Sequence, residues 1–369
     1  MEKRKWADVL HIVSGKNQKD VQNPNGKYPI YGSGGKMGYA DEYLCEPGTT
    51  IVGRKGTINR PIYVDEPFWN IDTAFGVTPD EGLDSKYLFY FCVHFNFMPL
   101  DKSTGRPSLA KSDLLKIEMP VPSIDEQRRI VYRIEELFSE LDNSVSTLQK
   151  TKEQLAVYRQ AVLKEAFGNI KTYLSMDEVA QMIDPQPSHR TPPQYDGGIP
   201  YIGIGDIDYK KMEIDFIHAH KASPAVYEEH LNRYTLSDGD FVMGKIGTIG
   251  KPFRLPLPQN YTLSANVILI QPLKEKINPD YLFWQFSSPS VSLQLTEGSK
   301  ATTQAAFGIK KARKLQIQMC SREKQNEIVE EIESRLSVCD SIEHTVDTAL
   351  QQAEAMRQSI LKQAFEGRL

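Results

Sequence analysis

The chain has 369 residues and a formal net charge of −4, from 44 Lys+Arg and 48 Asp+Glu. Its length predicts about two or three units with cores of their own, and a composition of 40% hydrophobic and 25% charged residues excludes disorder throughout the chain. No apolar run reaches the roughly 20 residues of a membrane span and no signal-peptide pattern opens the chain, so we expect a soluble, cytoplasmic protein. The acidic balance argues against nucleic-acid binding, which usually leaves a basic footprint.

Residues 1–122 are rich in Gly, Pro and Tyr and contain short β-branched runs. The segments Thr49–Arg54 and Pro61–Val64 predict strands, and Lys86–Phe95 predicts a helix that follows them. We therefore expect a mixed α/β unit with a curved sheet over residues 1–122.

Residues 123–168 predict one long helix, because Gly and Pro are absent between Asp125 and Phe167 and Gly168 follows. A helix of this kind has ~40–45 residues and is roughly 60–70 Å long. Its apolar residues recur every seven positions, a heptad seam typical of helices that pack together. The seam residues are Ile134, Leu141, Leu148, Leu155 and Val162.

Residues 169–320 repeat the character of the first unit. Asp240–Lys245 and Asn266–Pro272 predict strands, and Pro279–Ser288 predicts the helix after them. Residues 321–369 then predict a second long helix with its own heptad seam. Its residues are Ile332, Cys339, Val346, Ala353 and Ile360.

The two helical segments are copies of one another. Residues 123–167 match 321–365 without a gap, with identities that include Gln127/Gln325 and Phe167/Phe365. A weaker match joins "VGRKGTINRP" (Val52–Pro61) to "MGKIGTIGKP" (Met243–Pro252). The chain is thus predicted to be an internal two-fold repeat of a globular unit followed by a helix.

A solvated helix of this length cannot leave an apolar stripe uncovered, so the two seams most simply pack on each other. An antiparallel pair is favoured, because the unit between the helices must return the chain. Two alternatives stay open: each helix packs on its own domain, or the helices pair between chains. The predicted fold class is α+β, with two mixed α/β domains joined by two long helices that form an antiparallel coiled coil.

Net charge is distributed unevenly along this repeat. It is 0 for residues 1–122, −1 for 123–168, +1 for 169–320 and −4 for 321–369. The acidity therefore belongs to the predicted helices, and the objection to nucleic-acid binding does not extend to the globular units, whose basic residues cluster in turns.

Several motifs resemble those of the specificity subunits of type I restriction-modification enzymes. They include "PIYGSGGKMGY" (Pro29–Tyr39), "IDTAFGV" (Ile71–Val77) and, in the second half, "YIGIGDI" (Tyr201–Ile207) and "LSANV" (Leu263–Val267). The resemblance covers essentially the whole chain, and the duplicated order of its parts is more specific than any single motif.

The resemblance implies a non-catalytic, DNA-reading subunit. Residues 1–122 and 169–320 would be target-recognition domains that each read one half of a bipartite site in double-stranded DNA. The helices at 123–168 and 321–369 would be spacers that set the gap and dock the partners. Those partners would be two modification subunits and two restriction subunits, with S-adenosylmethionine, ATP and Mg²⁺ on them and no cofactor in this chain.

Candidate DNA contacts follow from the basic turns, where glycine lets the backbone approach a phosphate and polar side chains reach further. For any one Lys or Arg, a solvated surface charge is about as good an interpretation. For the first half-site, the candidates are Arg54, Lys55, Asn59, Arg60, Lys102, Ser103 and Arg106. For the second, they are Lys245, Thr248, Lys251, Asn266, Lys300, Thr302, Thr303 and Gln304.

Catalytic and metal-binding functions find little support in the sequence. Thr191–Gln194 lacks the acidic or amide residue and the aromatic of a methyltransferase motif, and Lys251 is followed by Pro252 where a phosphate-binding loop needs Ser or Thr. No C-x-x-C spacing is present, so the cysteines indicate reduced thiols and not a disulfide or zinc site. The cysteines are Cys45, Cys92, Cys320 and Cys339.

Two other hypotheses remain. One is a coiled-coil adaptor without DNA-binding activity, whose two globular domains bind protein; the paired basic turns argue weakly against it. The other is a specificity half working with a single-chain restriction enzyme, although no catalytic segment is found in this sequence.

Overall fold

The computed structural model describes residues 2–246, 248–299 and 307–369. Within it the chain divides into two compact units. The first unit comprises Met1–Lys150 and Val346–Leu369, and the second unit comprises Thr151–Thr345.

The described part of the first unit has nine strands, two short α-helices and part of each long helix. The strands are β1 (Lys3–Lys5), β2 (Leu10–Ser14), β3 (Tyr28–Gly32), β4 (Gly35–Ala40), β5 (Thr49–Gly53), β6 (Ile62–Val64), β7 (Trp69–Asn70), β8 (Ala74–Pro79) and β9 (Glu118–Pro120). The helices are α1 (Ser85–His94), α2 (Lys111–Leu114) and the long α3 (Ile124–Gly168), of which the part up to residue 150 lies in this unit.

The strands of the first unit form three sheets. An antiparallel sheet has the order β2-β8-β5-β6, a smaller sheet has the order β4-β3-β7 with β3 and β7 parallel, and β1 pairs with β9. The β-branched run of β5 is buried along its whole length, as expected for an inner strand. Trp6 fills the core between the rings of Phe91 and Phe97, at centroid distances of 6.4 and 6.2 Å.

The described part of the second unit has eleven strands. They are β10 (Tyr173–Ser175), β11 (Ala180–Ile183), β12 (Ile199–Ile202), β13 (Ile207–Asp208), β14 (Glu213–Ile214), β15 (Lys221–Ala222), β16 (Phe241–Gly244), β17 (Pro252–Arg254), β18 (Thr262–Leu263), β19 (Val267–Pro272) and β20 (Gln316–Gln318). The helices are α4 (Met176–Val179), α5 (Pro224–Leu231), α6 (Pro279–Phe286), α7 (Pro289–Ser299), α8 (Ile309–Ala312) and the long α9 (Arg322–Phe365), of which the part from residue 346 lies in the first unit.

The sheets of the second unit follow the same plan. The main sheet has the order β11-β19-β16-β17, a three-stranded sheet has the order β15-β12-β18, and β10 pairs with β20. One addition is the two-residue pair β13-β14, which the first unit lacks among its described strands. Phe241 anchors the core against Phe283 and Phe286 of α6, at centroid distances of 5.5 and 5.3 Å. The fold is therefore mixed α+β, as predicted.

The elements predicted from β-branched runs and from helical periodicity lie within about two residues of their expected positions. Thr49–Arg54 and Asn266–Pro272 correspond to β5 and β19, and Lys86–Phe95 corresponds to α1. Asp84 caps α1 because its carboxylate accepts hydrogen bonds from the backbone N–H groups of Lys86 and Tyr87, at 3.0 and 2.9 Å.

The heptad seam is the buried face of both long helices. In α3, Ile134, Leu155 and Val162 are buried and Leu141 and Leu148 are half-buried. In α9 all five predicted seam residues are buried: Ile332, Cys339, Val346, Ala353 and Ile360. The predicted period therefore separates core-facing from solvent-facing residues along both helices.

The repeated glutamines join each long helix to a short one. Gln127 is fully buried; its Oε1 accepts the N–H of Asp84, and its Nε2 donates to the carbonyl groups of Gly82 and Pro122. Gln325 does the same in the second unit, accepting from Asn278 at 2.7 Å and donating to Cys320 at 3.0 Å. Asp84 and Asn278 are the N-cap residues of α1 and α6, so each glutamine fixes where a helix begins.

The four cysteines are free thiols. Cys45, Cys92 and Cys339 are buried, and burial raises the pKa of Cys45 to about 12. The thiol of Cys45 thus stays protonated at neutral pH and is a poor nucleophile.

Candidate nucleic-acid interface

In the first unit, the segment after β5 is a tight turn held by backbone contacts. A Cβ on Gly53 would lie 1.9 Å from the carbonyl oxygen of Thr57, so only glycine fits there. The N–H groups of Arg54 and Lys55 both donate to the carbonyl of Thr73, at 2.8 and 3.0 Å. The turn is thereby attached to the segment between β7 and β8.

A second loop brings Arg106 to this turn. The N–H of Gly56 donates to the carbonyl of Pro107, and the N–H of Leu109 donates to that of Arg54, both at 2.8 Å. A Cβ on Gly56, whose φ is +85°, would lie 2.7 Å from a guanidinium nitrogen of Arg106. These contacts bring the Arg106 guanidinium to the backbone of Gly56, on the turn that carries Arg54.

The candidate cations of the first unit differ in exposure and in their partners. Lys55 and Arg60 lie on the turn itself. Lys102 forms an ion pair with Asp113 at 2.8 Å, and that hydrogen bond lowers the pKa of the Asp113 carboxyl. Arg54 is half-buried, with its guanidinium 5.7 Å from the ring centroid of Phe75. This edge of the unit can offer several cations to an anionic ligand.

The two neutral candidates of the first unit shape loops. The Asn59 amide donates to Asn96 at 2.8 Å and accepts the N–H of Phe97 at 2.7 Å. Ser103 donates through its hydroxyl to the Asp101 carboxylate and to the Arg106 carbonyl, at 2.8 and 2.9 Å. Both side chains are hydrogen-bonded within the protein, which favours a positioning role for them.

The second unit contains the corresponding turn after β16. A Cβ on Gly244 would lie 2.3 Å from the carbonyl oxygen of Thr248. The N–H of Lys245 donates to the carbonyl of Asn266, and the N–H of Phe307 donates to that of Lys245, both at 2.8 Å. The backbone of Arg54 makes the two corresponding hydrogen bonds in the first unit, one with Thr73 and one with Leu109.

The side chains of this second turn differ from those of the first. Lys245 is buried at 7% exposure, and its ammonium forms an ion pair with the Asp184 carboxylate at 2.7 Å. Thr248 is exposed. Lys251 is also exposed and lies over the ring of Tyr209, 4.4 Å from its centroid. Lys251 is therefore the accessible cation of this turn.

Asn266 lines a groove of ≈ 390 Å³ formed where β12 and β18 end. Seven of its ten lining residues have polar side chains: His189, Thr191, Tyr201, Asp206, His220, Ser264 and Asn266, with Gly203, Ile246 and Ala265 completing the lining. Of these, the sequence analysis selected Asn266 alone. The motifs "YIGIGDI" and "LSANV" contain five of the others, and they are the sequence signal that could have found them: Tyr201, Gly203, Asp206, Ser264 and Ala265. The candidates Lys300, Thr302, Thr303 and Gln304 lie outside the described residues.

Features of other classes of site were also sought. Over residues 2–246, 248–299 and 307–369, no group of three or more His, Cys, Asp or Glu side chains could hold a metal ion. No helix in the same part of the chain is both long enough and apolar enough to cross a bilayer.

Comparison with known proteins shows the family of this chain. The family model of the type I restriction modification DNA specificity domain matches residues 1–155 and 178–352. The type I restriction enzyme EcoBI specificity subunit of Escherichia coli is 25% identical over 357 residues, covering 89% of this chain and 75% of that protein. The EcoKI specificity subunit of Escherichia coli K12 is 26% identical over 352 residues, covering 86% and 73%.

Solved structures share the fold. A chain from work on complex assembly and conformational transition of the type I R-M system has a TM-score of 0.77 at 15% identity, covering 100% of this chain and 98% of its own length. The HsdS subunit from Thermoanaerobacter tengcongensis has a TM-score of 0.55 at 16% identity, covering 100% and 97%. Since the family model matches most of the chain in two successive segments, this protein belongs to the family of type I restriction-modification specificity subunits.

Proposed function

We propose that this chain is the DNA-reading, non-catalytic subunit of a type I restriction-modification complex, and that each unit reads one half of a bipartite DNA site. The observation that carries the proposal is the paired glycine turn. In both units the N–H of the residue after the glycine donates to the residue just before the paired strand of the main sheet, β8 or β19, at 2.8 Å for Arg54–Thr73 and for Lys245–Asn266. Two similar elements suit a ligand with two separate half-sites.

Phosphate contacts would come from the exposed cations of these turns. Lys55, Arg60 and Arg106 in the first unit and Lys251 in the second are all exposed. Cations on rigid, glycine-containing turns bind the phosphate backbone and fix the register, whereas base edges are read by polar groups set deeper. The polar groove beside Asn266 fits the second role.

We further propose that α3 and α9 form an antiparallel coiled coil. In the first unit, Ile134 and Phe138 of α3 share a core with Leu361 and Phe365 of α9. In the second unit, Val162 and Phe167 of α3 share a core with Ile332 and Leu336 of α9. Leu163 of α3 and Ile328 and Val329 of α9 belong to the same core.

Ion pairs support the antiparallel direction. In the second unit, Arg159 of α3 pairs with Asp340 of α9 at 2.7 Å, whereas Glu165, further along α3, pairs with the earlier Arg335 at 2.9 Å. In the first unit, Asp142 pairs with Arg357, which also lies 4.5 Å from the ring centroid of Phe138. Residue numbers that rise along one helix and fall along the other describe antiparallel neighbours.

In this proposal the helix pair is the spacer that sets the gap between half-sites and docks the partners. Those partners are two modification subunits, to which two restriction subunits are added. S-adenosylmethionine, ATP and Mg²⁺ would bind to the partners and not to this chain. The complex would work in the cytoplasm, where the host DNA is.

Mapping methylated adenines in the host genome, with and without this gene, tests the proposal. We expect methylation at a two-part sequence with a constant gap, lost when the gene is deleted and restored by a plasmid copy. A gel-shift assay of the complete complex on that sequence, with the modification partner alone as control, checks direct binding. If the complete complex assembles but binds no specific sequence, a protein-binding coiled-coil adaptor is the better description.

A further inference from the structure

The groove beside Asn266 contains polar groups whose hydrogen-bonding directions are fixed by their neighbours. We propose that Asn266 selects, at one position of the second half-site, a base whose major-groove edge presents a hydrogen-bond acceptor, and rejects cytosine there. This inference rests on the proposed function, because it assigns a readout to a groove that must first face DNA.

The orientation of the Asn266 amide follows from its partners. Its Oδ1 accepts the backbone N–H of Ile204 at 3.1 Å and the hydroxyl of Ser264. A backbone N–H can only donate, so the atom that faces it must be the oxygen. Among the described residues no acceptor is found for Nδ2, which leaves the NH₂ group as the unused part of a side chain that lines the groove.

Glycine at position 203 makes this arrangement possible. A Cβ there would lie 2.9 Å from Oδ1 and 3.0 Å from Nδ2 of Asn266, and 2.9 Å from the Ser264 hydroxyl. Any side chain at Gly203 would thus displace the amide. The Asp206 carboxylate accepts the N–H of Gly203 at 2.7 Å and holds the backbone in place beneath it.

Other groups of the groove have fixed roles too. His220 lies with Nε2 2.9 Å from the carbonyl of Pro192, so Nε2 donates and a neutral ring keeps Nδ1 as an acceptor. The Tyr201 hydroxyl accepts the N–H of Ala265 at 3.2 Å, and burial raises its pKa, so it keeps a proton to donate. The groove therefore offers both donors and acceptors, as one base pair does on its major-groove edge.

Donation by Nδ2 alone limits what Asn266 can read. An asparagine with both amide atoms free reads adenine by donating to N7 and accepting from the N6 amino group. Here Oδ1 is already used, so Asn266 can only donate: to N7 or O6 of guanine, N7 of adenine or O4 of thymine. Cytosine presents an amino donor in the major groove, and facing it would leave two donors opposed.

The variant Asn266→Asp tests this directly. Aspartate keeps the size of the side chain and the acceptor for Ile204 and Ser264, but replaces the donor with a second acceptor. The full chain, assembled with its modification partner, would select bound sequences from a DNA library randomised over the second half-site. We expect the preference at one position to move, by about tenfold or more, to cytosine, the base that the wild type rejects and whose amino group an aspartate can accept.

A matched control introduces the same chemical change outside the groove. Asn232 is exposed and follows α5, so Asn232→Asp should leave the selected sequence unchanged. If Asn266→Asp fails to assemble, Asn266→Ala replaces it and should relax the preference at the same position by about tenfold.

The outcomes separate this inference from the proposed function. If the wild-type complex selects no two-part sequence, the proposed function fails. If the wild type selects one, and assembled Asn266→Asp or Asn266→Ala keeps the same preference at every position of the second half, the inference is wrong while the proposed function stands. A selected cytosine at the position that Asn266→Ala relaxes would also overturn it.

Discussion

The glycine turns of the two units are held by the same backbone contacts but present their cations differently. In the first unit, Arg54 is half-buried and its guanidinium lies 5.7 Å from the ring centroid of Phe75, while Lys55 beside it is exposed. In the second unit, Lys245 is 7% exposed and paired with Asp184. The corresponding position thus carries a half-buried cation in the first unit and a buried, ion-paired cation in the second.

The comparison separates the features that the two units share from those in which they differ. The contacts shared by both units lie in the framework: the glycine under the turn, the glutamine at the start of each long helix, and the tyrosine of each short helix. Tyr87 donates to the Pro120 carbonyl and Tyr281 to that of Gln318, both at 3.0 Å. The side chains on the turns are free to differ, because the backbone contacts that place them do not depend on their chemistry.

The largest expected effect is on the buried pair of the second turn. Asp184→Asn would leave the Lys245 ammonium buried without its counter-charge, which costs about 3 kcal/mol of unfolding free energy. Hydrogen-exchange mass spectrometry, which follows peptides of each unit separately, should show faster exchange in the second unit only.

Two further variants test whether the buried ion pair distinguishes the second turn from the first. The double variant Asp184→Asn with Lys245→Met should recover most of the lost protection, since no unpaired charge remains. Arg54→Met in the first unit should change protection by about 0.5 kcal/mol or less, as for a surface residue. Equal losses from Arg54→Met and Asp184→Asn would mean that the turns do not differ as described.

A smaller effect is expected at the repeated glutamines. Gln127→Leu removes three buried hydrogen bonds and Gln325→Leu removes two, so each should destabilise its own unit by about 1–3 kcal/mol, with the larger loss for Gln127. Denaturant dependence of hydrogen exchange in α1 and α6 gives the two values. Gln154→Leu is the control, because Gln154 is an exposed residue of α3; if it costs as much, the buried amide contacts are not the cause.

Charge reversal on the first turn should have the smallest effect on stability. Its expected effect is on DNA binding. Arg54→Glu with Lys55→Glu should weaken DNA binding by the assembled complex and lower the slope of log affinity against log salt by about one per lost phosphate contact. Binding would be measured over a series of salt concentrations with the stability unchanged.

The matched control reverses two other exposed cations of the first unit, Lys3 and Lys5 on β1. If Lys3→Glu with Lys5→Glu weakens binding equally, the effect is that of overall charge and not of the turn. Unchanged binding in the Arg54 and Lys55 variant would remove this turn from the interface.

Much of the fold could be predicted because its signals are local or periodic. The β-branched run at Thr49–Arg54 is an inner strand, and a seven-residue apolar spacing marks the buried face of α3 and α9. Two-residue strands such as β13 and β18 could not be predicted, because so short a segment pairs only when the rest of the unit brings its partner alongside.

The candidate site was predicted less completely. The turn at Arg54 and Lys55 is where the sequence places it, but the groove residues Tyr201 and His220 were not selected. Tyr201 lies in β12 and His220 directly precedes β15, so the two meet only in the folded unit. The DNA contacts themselves stay predictions for every residue.

Sequence by itself determined the period of the long helices and the position of the glycine turns, because each depends on residues close together in the chain or evenly spaced along it. Tertiary structure decided which cations are exposed and which are buried. The counter-charge of Lys245, which follows β16, is Asp184, which follows β11. Tertiary structure also decided which part of each long helix belongs to which unit. Burial and charge pairing depend on groups distant in sequence, so spacing alone could not specify them.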